Sequence, residues 1–219
     1  MDELADAIRA DLRLAADPAR AAGQQAYMKS AMPFLGVRVP AARRLAHARA
    51  RGIRDGVVLQ ETALTLWDGA QFREERYAAL ALLALRPVKG DLAIVPMIAH
   101  MVRTGQWWDI TDELAHRVAD LLDAHPAEAT LLVRGWSVDD DLWMRRLAII
   151  AQLGRRDRLD LDLLTDVIEQ NADDPEFFIR KAIGWALRDA ARTRPDEVRA
   201  FVAAHHLSPL SAREALKNL

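Results

Sequence analysis

The placement of proline is the feature of this sequence that most constrains its fold. Five prolines each open a segment rich in helix-forming residues, at Asp17-Pro18, His125-Pro126, Asp174-Pro175, Arg194-Pro195 and Ser208-Pro209. Proline suits the first position of a helix, because its missing amide hydrogen would have no intrahelical partner there and its fixed φ is already helical. The repeated pattern therefore predicts a chain of many short helices.

The residues between the prolines also favour an all-α protein. Ala, Leu and Arg, which are strong helix formers, dominate the sequence. Val, Ile, Thr and Tyr never cluster into the alternating pattern of a β-strand. We predict thirteen helices, near residues 2–16, 18–31, 40–51, 56–67, 71–86, 94–104, 107–123, 126–135, 139–153, 159–171, 175–192, 195–204 and 208–218.

A weak internal repeat indicates how these helices are organised. The segments around Arg76, Arg146 and Arg180 resemble one another, and these arginines lie 70 and 34 residues apart. A period near 35 residues with two helices in each unit is typical of an α-solenoid. We therefore predict one repeat domain over 1–219, in which the second helices of the pairs line a concave surface. The repeat period places Asp112 in register with Arg146 and Arg180, so these residues are predicted to share a cleft.

The charge distribution restricts the partners of the chain. The formal net charge of −2 excludes a uniformly basic nucleic-acid binder, but not a local basic face. Residues 18–54 contain no acid and eight cations. Such a stretch suits a phosphate backbone, although a solvated face of Arg-rich helices explains it equally well. The cations are Arg20, Lys29, Arg38, Arg43, Arg44, Arg49, Arg51 and Arg54.

Several classes of site and location are disfavoured by what the sequence lacks. With no Cys, the chain forms no disulfide, thiolate metal site or Cys nucleophile. No Gly-rich phosphate loop, nucleophile elbow or His-Glu-x-x-His motif occurs, and the six His residues show no metal-ligand spacing. We expect neither a metal nor a cofactor. The acidic N-terminus lacks the features of a signal peptide, and the longest apolar run, 77–85, is too short to cross a bilayer, so a cytoplasmic protein is expected.

Tryptophan supplies the most informative candidates for a site. Trp67, Trp136 and Trp143 lie in apolar surroundings and are predicted to pack in the core. Trp108 and Asp112 are four residues apart on a predicted helix and share a face. An aromatic ring beside a carboxylate is a good receptor for a positive charge. The alternative is a core Trp followed by an ordinary surface acid.

A second candidate surface surrounds Trp185. Lys181 and Arg188 lie on the same helical face as this Trp, and an indole between two cations can contact a nucleic acid. The alternative is a Trp covered by the alkyl stems of its neighbours. Gly184 is unfavourable in mid-helix by about 1 kcal/mol relative to Ala, which indicates that another part of the structure approaches closely. Arg146, with Arg145 before it, offers either a phosphate clamp or an ordinary surface pair.

Seven segments, in family order and spanning nearly the whole chain, together resemble the bacterial alkylpurine DNA glycosylases of the AlkD type. Any one segment is weak, but the set is specific. The resemblance implies an all-helical stack of HEAT-like repeats with a concave DNA-binding face. The segments are Tyr27-Met28-Lys29, Phe34-Leu35-Gly36-Val37-Arg38-Val39-Pro40, Leu66-Trp67-Asp68, Trp107-Trp108-Asp109-Ile110-Thr111-Asp112, Trp143-Met144-Arg145-Arg146, Lys181-Ala182-Ile183-Gly184-Trp185-Ala186-Leu187-Arg188 and Leu210-Ser211-Ala212-Arg213-Glu214-Ala215.

This resemblance implies an activity: hydrolysis of the N-glycosidic bond of positively charged purines such as 3-methyladenine and 7-methylguanine in double-stranded DNA. It implies a monofunctional monomer that works without a conventional base-flipping pocket. Asp112, Trp108 and Trp185 occupy the positions of catalytic residues in the family. The residues expected to contact DNA are Arg146, Lys181, Arg38, Tyr27, Lys29 and Arg188, with Arg38 standing where relatives carry Gln.

Two other functions remain open at this stage. One is a DNA-binding relative that recognises distorted or branched DNA without glycosylase activity. The other is a HEAT-type scaffold for protein partners. Release of an alkylated base would distinguish the enzyme from the first alternative, and binding to DNA at low salt would distinguish both from the second.

Overall fold

The structure is a computed structural model, and it describes residues 2–219. This part of the chain contains thirteen α-helices, short 3-10 turns at Leu92–Ile94 and Arg156–Arg158, and no strand, which confirms the all-α prediction. Each predicted helix is present, and each boundary lies within three residues of its predicted place. The helices are α1 (Glu3–Leu14), α2 (Pro18–Met28), α3 (Val39–Arg49), α4 (Gly56–Asp68), α5 (Arg73–Leu83), α6 (Val95–Gly105), α7 (Trp108–Ala124), α8 (Pro126–Ser137), α9 (Leu142–Ile150), α10 (Leu161–Glu169), α11 (Phe177–Ala190), α12 (Pro195–Ala204) and α13 (Pro209–Ala215).

Proline begins helices as predicted at four of the five positions. Pro18, Pro126, Pro195 and Pro209 are the first residues of α2, α8, α12 and α13. The exception is Pro175, because α11 begins two residues later, at Phe177. There the Asp174 carboxylate accepts a hydrogen bond from the amide of Glu176 at 2.8 Å, so the Asp-Pro pair forms a turn before the helix.

The chain divides into two compact units, and the first ends at Lys89. Its centre is α5, which packs against α3 and α4 and has ten buried residues out of eleven. Trp67 is almost fully buried, as the sequence predicted for a core Trp, and the guanidinium of Arg76 lies 4.5 Å from the centre of its ring. Seven of the ten buried residues of α5, at positions 77–83, are apolar and contribute to the core of this unit.

A buried acid fixes the loop that precedes α3. Glu74 is fully buried in α5, and its carboxylate accepts hydrogen bonds from the amides of Leu35, Gly36 and Val37 at 2.9, 2.9 and 3.0 Å. Gly36 has φ +88°, and a Cβ there would lie 2.0 Å from the carbonyl oxygen of Asp17. Only glycine fits this close approach, so Gly36 and Glu74 together fix the backbone conformation of the loop that leads into α3.

The second unit begins at Gly90 and contains α6 to α13. In it, α7 packs on α9, α9 on α11 and α11 on α13, while α8 contacts both α7 and α9. The first residues of α7, α9 and α11 lie 34 and 35 residues apart, close to the predicted period. The prediction of one repeat domain over 1–219 stays a prediction. None of the helices within residues 2–219 has the length and apolar character needed to cross a membrane.

Candidate functional site

The first turn of α7 presents Trp108 and Asp112 on one face. Trp107 precedes the helix in an extended conformation, and its carbonyl oxygen accepts hydrogen bonds from the amide and the hydroxyl of Thr111 at 3.1 and 3.2 Å. Trp108 is therefore the first helical residue, and Asp112 lies one turn below it. Both side chains are half-buried, so the pair stays accessible at the edge of the core.

Asp112 is held by a two-pronged ion pair with Arg146 of α9. The Nε and Nη2 atoms of Arg146 donate to the two carboxylate oxygens of Asp112 at 2.8 and 2.9 Å. The remaining Nη1 atom donates to the carbonyl oxygen of Phe178 in α11 at 2.8 Å. The side chain of Arg146 is only 6% exposed, and its guanidinium links α9 to α7 and α11. The predicted contact of Arg146 with DNA stays a prediction.

The surroundings of Asp112 change its acidity. Burial raises the pKa of its carboxyl from 3.8 to about 6, against the attraction and hydrogen bonds of Arg146, and the nearby Asp109 charge acts in the same direction as burial. The group therefore changes protonation within a mildly acidic range. A carboxyl that titrates there can serve as a base near neutral pH.

Three aromatic rings pack behind this ion pair. The ring centres of Trp107, Trp143 and Phe178 lie 5.8, 5.5 and 5.0 Å apart, in tilted and edge-to-face arrangements that favour aromatic packing. Trp143 is buried, as predicted, and so is Trp136 on α8. The cluster holds together the segments that carry Asp112, Arg146 and the Phe178 carbonyl, which makes their geometry rigid.

The second candidate surface lies on α11 around Trp185, which is half-buried. Both cations that flank this Trp contact Glu214 of α13: Lys181 Nζ at 3.3 Å and Arg188 Nη1 at 2.7 Å. Because α7 and α11 both pack on α9, Trp108 and Trp185 lie on the two helices that flank Arg146. The sequence identified the two cations but not Glu214 as their counter-ion.

Gly184 explains how α13 comes so close to α11. A Cβ at this position would lie 2.5 Å from the Cβ of Glu214 and 2.9 Å from the carbonyl oxygen of Ser211. The hydroxyl of Ser211 donates to the carbonyl oxygen of Arg180 at 2.9 Å and fixes the contact. The close approach predicted from a mid-helix glycine is therefore that of α13.

Replacing Gly184 with Ala should destabilise the protein, by about 1–2 kcal/mol, because overpacking against α13 outweighs the helical preference for Ala. The free energy of unfolding in urea measures this effect. Gly135→Ala is the matched control, since a Cβ at that helical glycine meets nothing within 4 Å and Ala should stabilise α8. Equal stabilisation by both substitutions would contradict the close packing of α11 and α13.

The remaining predicted DNA contacts lie in the first unit. Tyr27 is 75% exposed near the end of α2, and Lys29 and Arg38 are exposed on either side of the loop that Glu74 fixes. Not all cations of the acid-free stretch are available, because Arg20 is paired with Asp17 and Arg49 with Asp11. The assignment of Tyr27, Lys29 and Arg38 to DNA binding stays a prediction.

Sequence reasoning missed two acids that organise these surfaces. Glu74 and Glu214 each hold groups more than 25 residues away along the chain. No sequence signal distinguished Glu74, since it lies among the charged residues Arg73, Glu75 and Arg76 of the same helix. Within residues 2–219, no group of three or more His, Asp or Glu side chains could hold a metal ion. The expected independence from metals stays a prediction.

Comparison with known proteins places this chain in a family. The sequence profile described as DNA alkylation repair enzyme matches residues 8–219. Among solved structures, a predicted DNA alkylation repair enzyme from Enterococcus faecalis is similar to this chain, with 27% sequence identity and a TM-score of 0.80. The similarity covers 93% of this chain and 96% of that one. No curated protein sequence matches the chain.

Two proteins from Streptococcus mutans share the fold at lower identity. The smu.31 structure from strain UA159 has 19% identity and a TM-score of 0.65, covering 83% of this chain and 92% of that one. The AlkD2 structure has 18% identity and a TM-score of 0.64, covering 84% and 90%. These similarities support the helical repeat fold alone.

Proposed function

This chain belongs to the family of DNA alkylation repair enzymes, and on that basis we propose that it hydrolyses the N-glycosidic bond of positively charged N3- and N7-alkylated purines in double-stranded DNA. The observation that carries this proposal is the Asp112 carboxylate, which Arg146 orients at 2.8 and 2.9 Å one helical turn from the half-buried ring of Trp108. A fixed negative charge beside an aromatic face suits a reaction in which positive charge moves from the purine base to the deoxyribose.

The chemistry follows from the charge on the substrate. An alkylated purine cation leaves readily, because the electron pair of the broken C1′–N9 bond neutralises the ring. Positive charge then develops on the deoxyribose, where the Asp112 carboxylate stabilises it and orients a water for attack on C1′. The proton of that water passes to Asp112 or to solvent. Since this interaction strengthens as the bond breaks, it lowers the barrier rather than only binding the substrate.

Trp108 and Trp185 are proposed to present their ring faces to the cationic nucleotide, and Arg146 to keep Asp112 in place. The cation that contacts Asp112 is a guanidinium, which stays protonated and does not attack a sugar as a neutral amine would. We therefore expect hydrolysis without strand cleavage. Nothing in this scheme requires a metal or a cofactor, and the enzyme is proposed to act as a monomer.

The proposed recognition without a conventional base-flipping pocket does not involve the cavity that α10, α11 and α12 form. This cavity of about 90 Å³ is lined mainly by apolar side chains, including Leu164, Ile168, Leu187 and Phe201. Asp112, Trp108 and Trp185 are not among its lining residues. Recognition without such a pocket is proposed from the resemblance to the AlkD-type glycosylases.

Incubation with DNA that contains 7-methylguanine, in the presence of EDTA, tests the proposal directly. We expect release of free 7-methylguanine and an intact strand that alkali then cleaves at the abasic site. Binding of the lesion DNA without release would favour the alternative, a DNA-binding relative that has no glycosylase activity. Failure to bind DNA at low salt would contradict both and leave a protein-interaction scaffold.

Excision should depend on pH through Asp112. The pKa of about 6 means that this carboxyl is mostly protonated at pH 5, so its carboxylate fraction rises with pH toward 7. We expect kcat/KM for release of 7-methylguanine to fall about tenfold per pH unit well below pH 6, because kcat/KM reports the ionisation of the free enzyme. Rates measured between about pH 4.5 and 6.5 check this. A flat profile would contradict the requirement for the carboxylate.

A further inference from the structure

Arg180 on α11 carries a partly buried charge that no acid balances. The residue is half-buried, its Nε atom is inaccessible to solvent and has no hydrogen-bond partner, and no ion pair forms at its guanidinium within residues 2–219. In the other arginines whose Nε is buried without a hydrogen bond, an acid or an aromatic ring stabilises the charge of the guanidinium. Arg117 and Arg194 have acid partners, and Arg73 and Arg76 lie over aromatic rings. Arg180 is therefore the exception among them.

The repeat explains why Arg180 lacks an acid. Arg146 reaches Asp112, which lies 34 residues earlier on the preceding helix of the row formed by α7, α9 and α11. The residue 34 positions before Arg180 is Arg146, which is a cation and already donates to Asp112 and to the Phe178 carbonyl oxygen. The same step forward leads to Glu214, whose oxygens are taken by Lys181 and Arg188. Neither neighbour in the row neutralises this charge.

The balance of charges on these helices therefore leaves an excess of positive charge at Arg180. Asp112 neutralises Arg146, and Glu214 neutralises one of Lys181 and Arg188. A partly desolvated guanidinium without a counter-ion is unfavourable, and an anion that bonds to it removes that penalty. The planar fork of a guanidinium matches the oxygens of a phosphate, which it can bind through two parallel hydrogen bonds.

We propose that Arg180 is a phosphate-binding residue of the DNA surface, and that it binds the backbone beside the Asp112 site. This inference rests on the proposed function. The main chain of Arg180 is close to that site, because Arg146 donates to the carbonyl oxygen of Phe178 and Arg180 follows only two residues later in the same helix. Two residues correspond to about 3 Å along the helix axis. Arg146 orients Asp112 from within the protein, and Arg180 supplies a charge that DNA can reach.

The test is the salt dependence of DNA affinity, measured by fluorescence anisotropy with a labelled, undamaged duplex. For Arg180→Gln we expect the slope of log K against log[KCl] to become shallower by about 0.9, as for the loss of one phosphate contact. Affinity near 50 mM KCl should weaken on the order of tenfold. Arg180→Lys should keep most of the slope. Arg134→Gln is the control, because that guanidinium of α8 is paired with Asp166.

A purely structural role for Arg180 predicts a different pattern. Since the guanidinium makes no ion pair to lose, Arg180→Gln should leave the melting temperature unchanged or slightly higher. A lower melting temperature with an unchanged salt slope would overturn the proposal, and so would an unchanged slope in a stable variant.

The outcome can be separated from that of the proposed function. If the wild-type protein releases 7-methylguanine but Arg180→Gln keeps the full slope, the assignment of Arg180 fails and the glycosylase stands. If the slope falls in Arg180→Gln but the wild-type protein releases no base, the phosphate contact stands and the catalytic proposal fails. If the wild-type protein does not bind the duplex, both fail.

Discussion

Asp112→Asn should lower the rate of 7-methylguanine release by about 10²–10⁴-fold, the range expected for loss of a group that stabilises charge and orients the nucleophile. The substitution keeps the shape of the side chain but removes the negative charge that faces the developing cation. Its amide oxygen can still accept one hydrogen bond from Arg146. Single-turnover kinetics with excess protein measures the chemical step apart from binding.

DNA affinity should be retained or slightly increased in this variant, because it removes a negative charge from a surface that is proposed to bind phosphates. Asp139→Asn is a matched control. Asp139 accepts a two-pronged ion pair from Arg103 at 3.0 and 2.5 Å, so the change weakens a pair of the same geometry that includes none of Asp112, Trp108 and Trp185. Equal losses of binding and excision in Asp112→Asn would show that this residue shapes the DNA surface rather than the reaction.

Arg146→Lys should also reduce excision, because a lysine supplies one charged atom where the guanidinium supplies three directed donors. The two hydrogen bonds to Asp112 and the one to the Phe178 carbonyl cannot all be kept. We expect the maximal rate to fall by about tenfold while the salt slope of DNA binding changes little. A change confined to the salt slope would instead identify Arg146 as a direct phosphate contact.

The largest effect on stability is expected at Glu74. In Glu74→Gln the carboxylate that accepts three backbone hydrogen bonds becomes a carboxamide, whose NH₂ group would face an amide donor. Each buried donor left without an acceptor costs about 1–3 kcal/mol, so we expect a loss of about 3–5 kcal/mol in the free energy of unfolding. Urea denaturation of the full chain measures this loss.

Glu61→Gln is the control for the change in net charge, because Glu61 is exposed on α4 and should change stability by less than about 0.5 kcal/mol. Because the amides of Leu35, Gly36 and Val37 donate to Glu74, Glu74→Gln is also expected to reduce their protection from hydrogen exchange. Full protection of these amides in a destabilised variant would indicate that Glu74 stabilises the protein through contacts other than these hydrogen bonds.

The predictions made from local sequence were largely confirmed by the structure. Thirteen helices are present within residues 2–219, and their starts follow from prolines and acids whose effect is exerted within one turn. The shared face of Trp108 and Asp112 is a consequence of helical geometry alone. The exception at Pro175 is of the same local kind, because Asp174 can cap a turn as readily as a helix.

The predictions that required a partner distant in sequence were incomplete. Arg146 and Lys181 were identified as cations of the site, but the acids that hold them could not be chosen among the 32 Asp and Glu residues of the chain. Gly184 indicated a close approach without identifying the approaching helix. The repeat period came nearest to a tertiary contact, since it places Asp112 in register with Arg146, its ion-pair partner in the structure.

Sequence by itself determined the helices, their order and the faces on which the candidate residues lie, because these depend on interactions within a few residues. Tertiary structure alone decided that Arg146 pairs with Asp112, that Glu214 contacts both cations beside Trp185, and that Arg180 has no acid partner within residues 2–219. Those outcomes depend on which helices pack together and at what distance. An ion pair forms only when packing brings two charges within a few ångströms and removes the competing water.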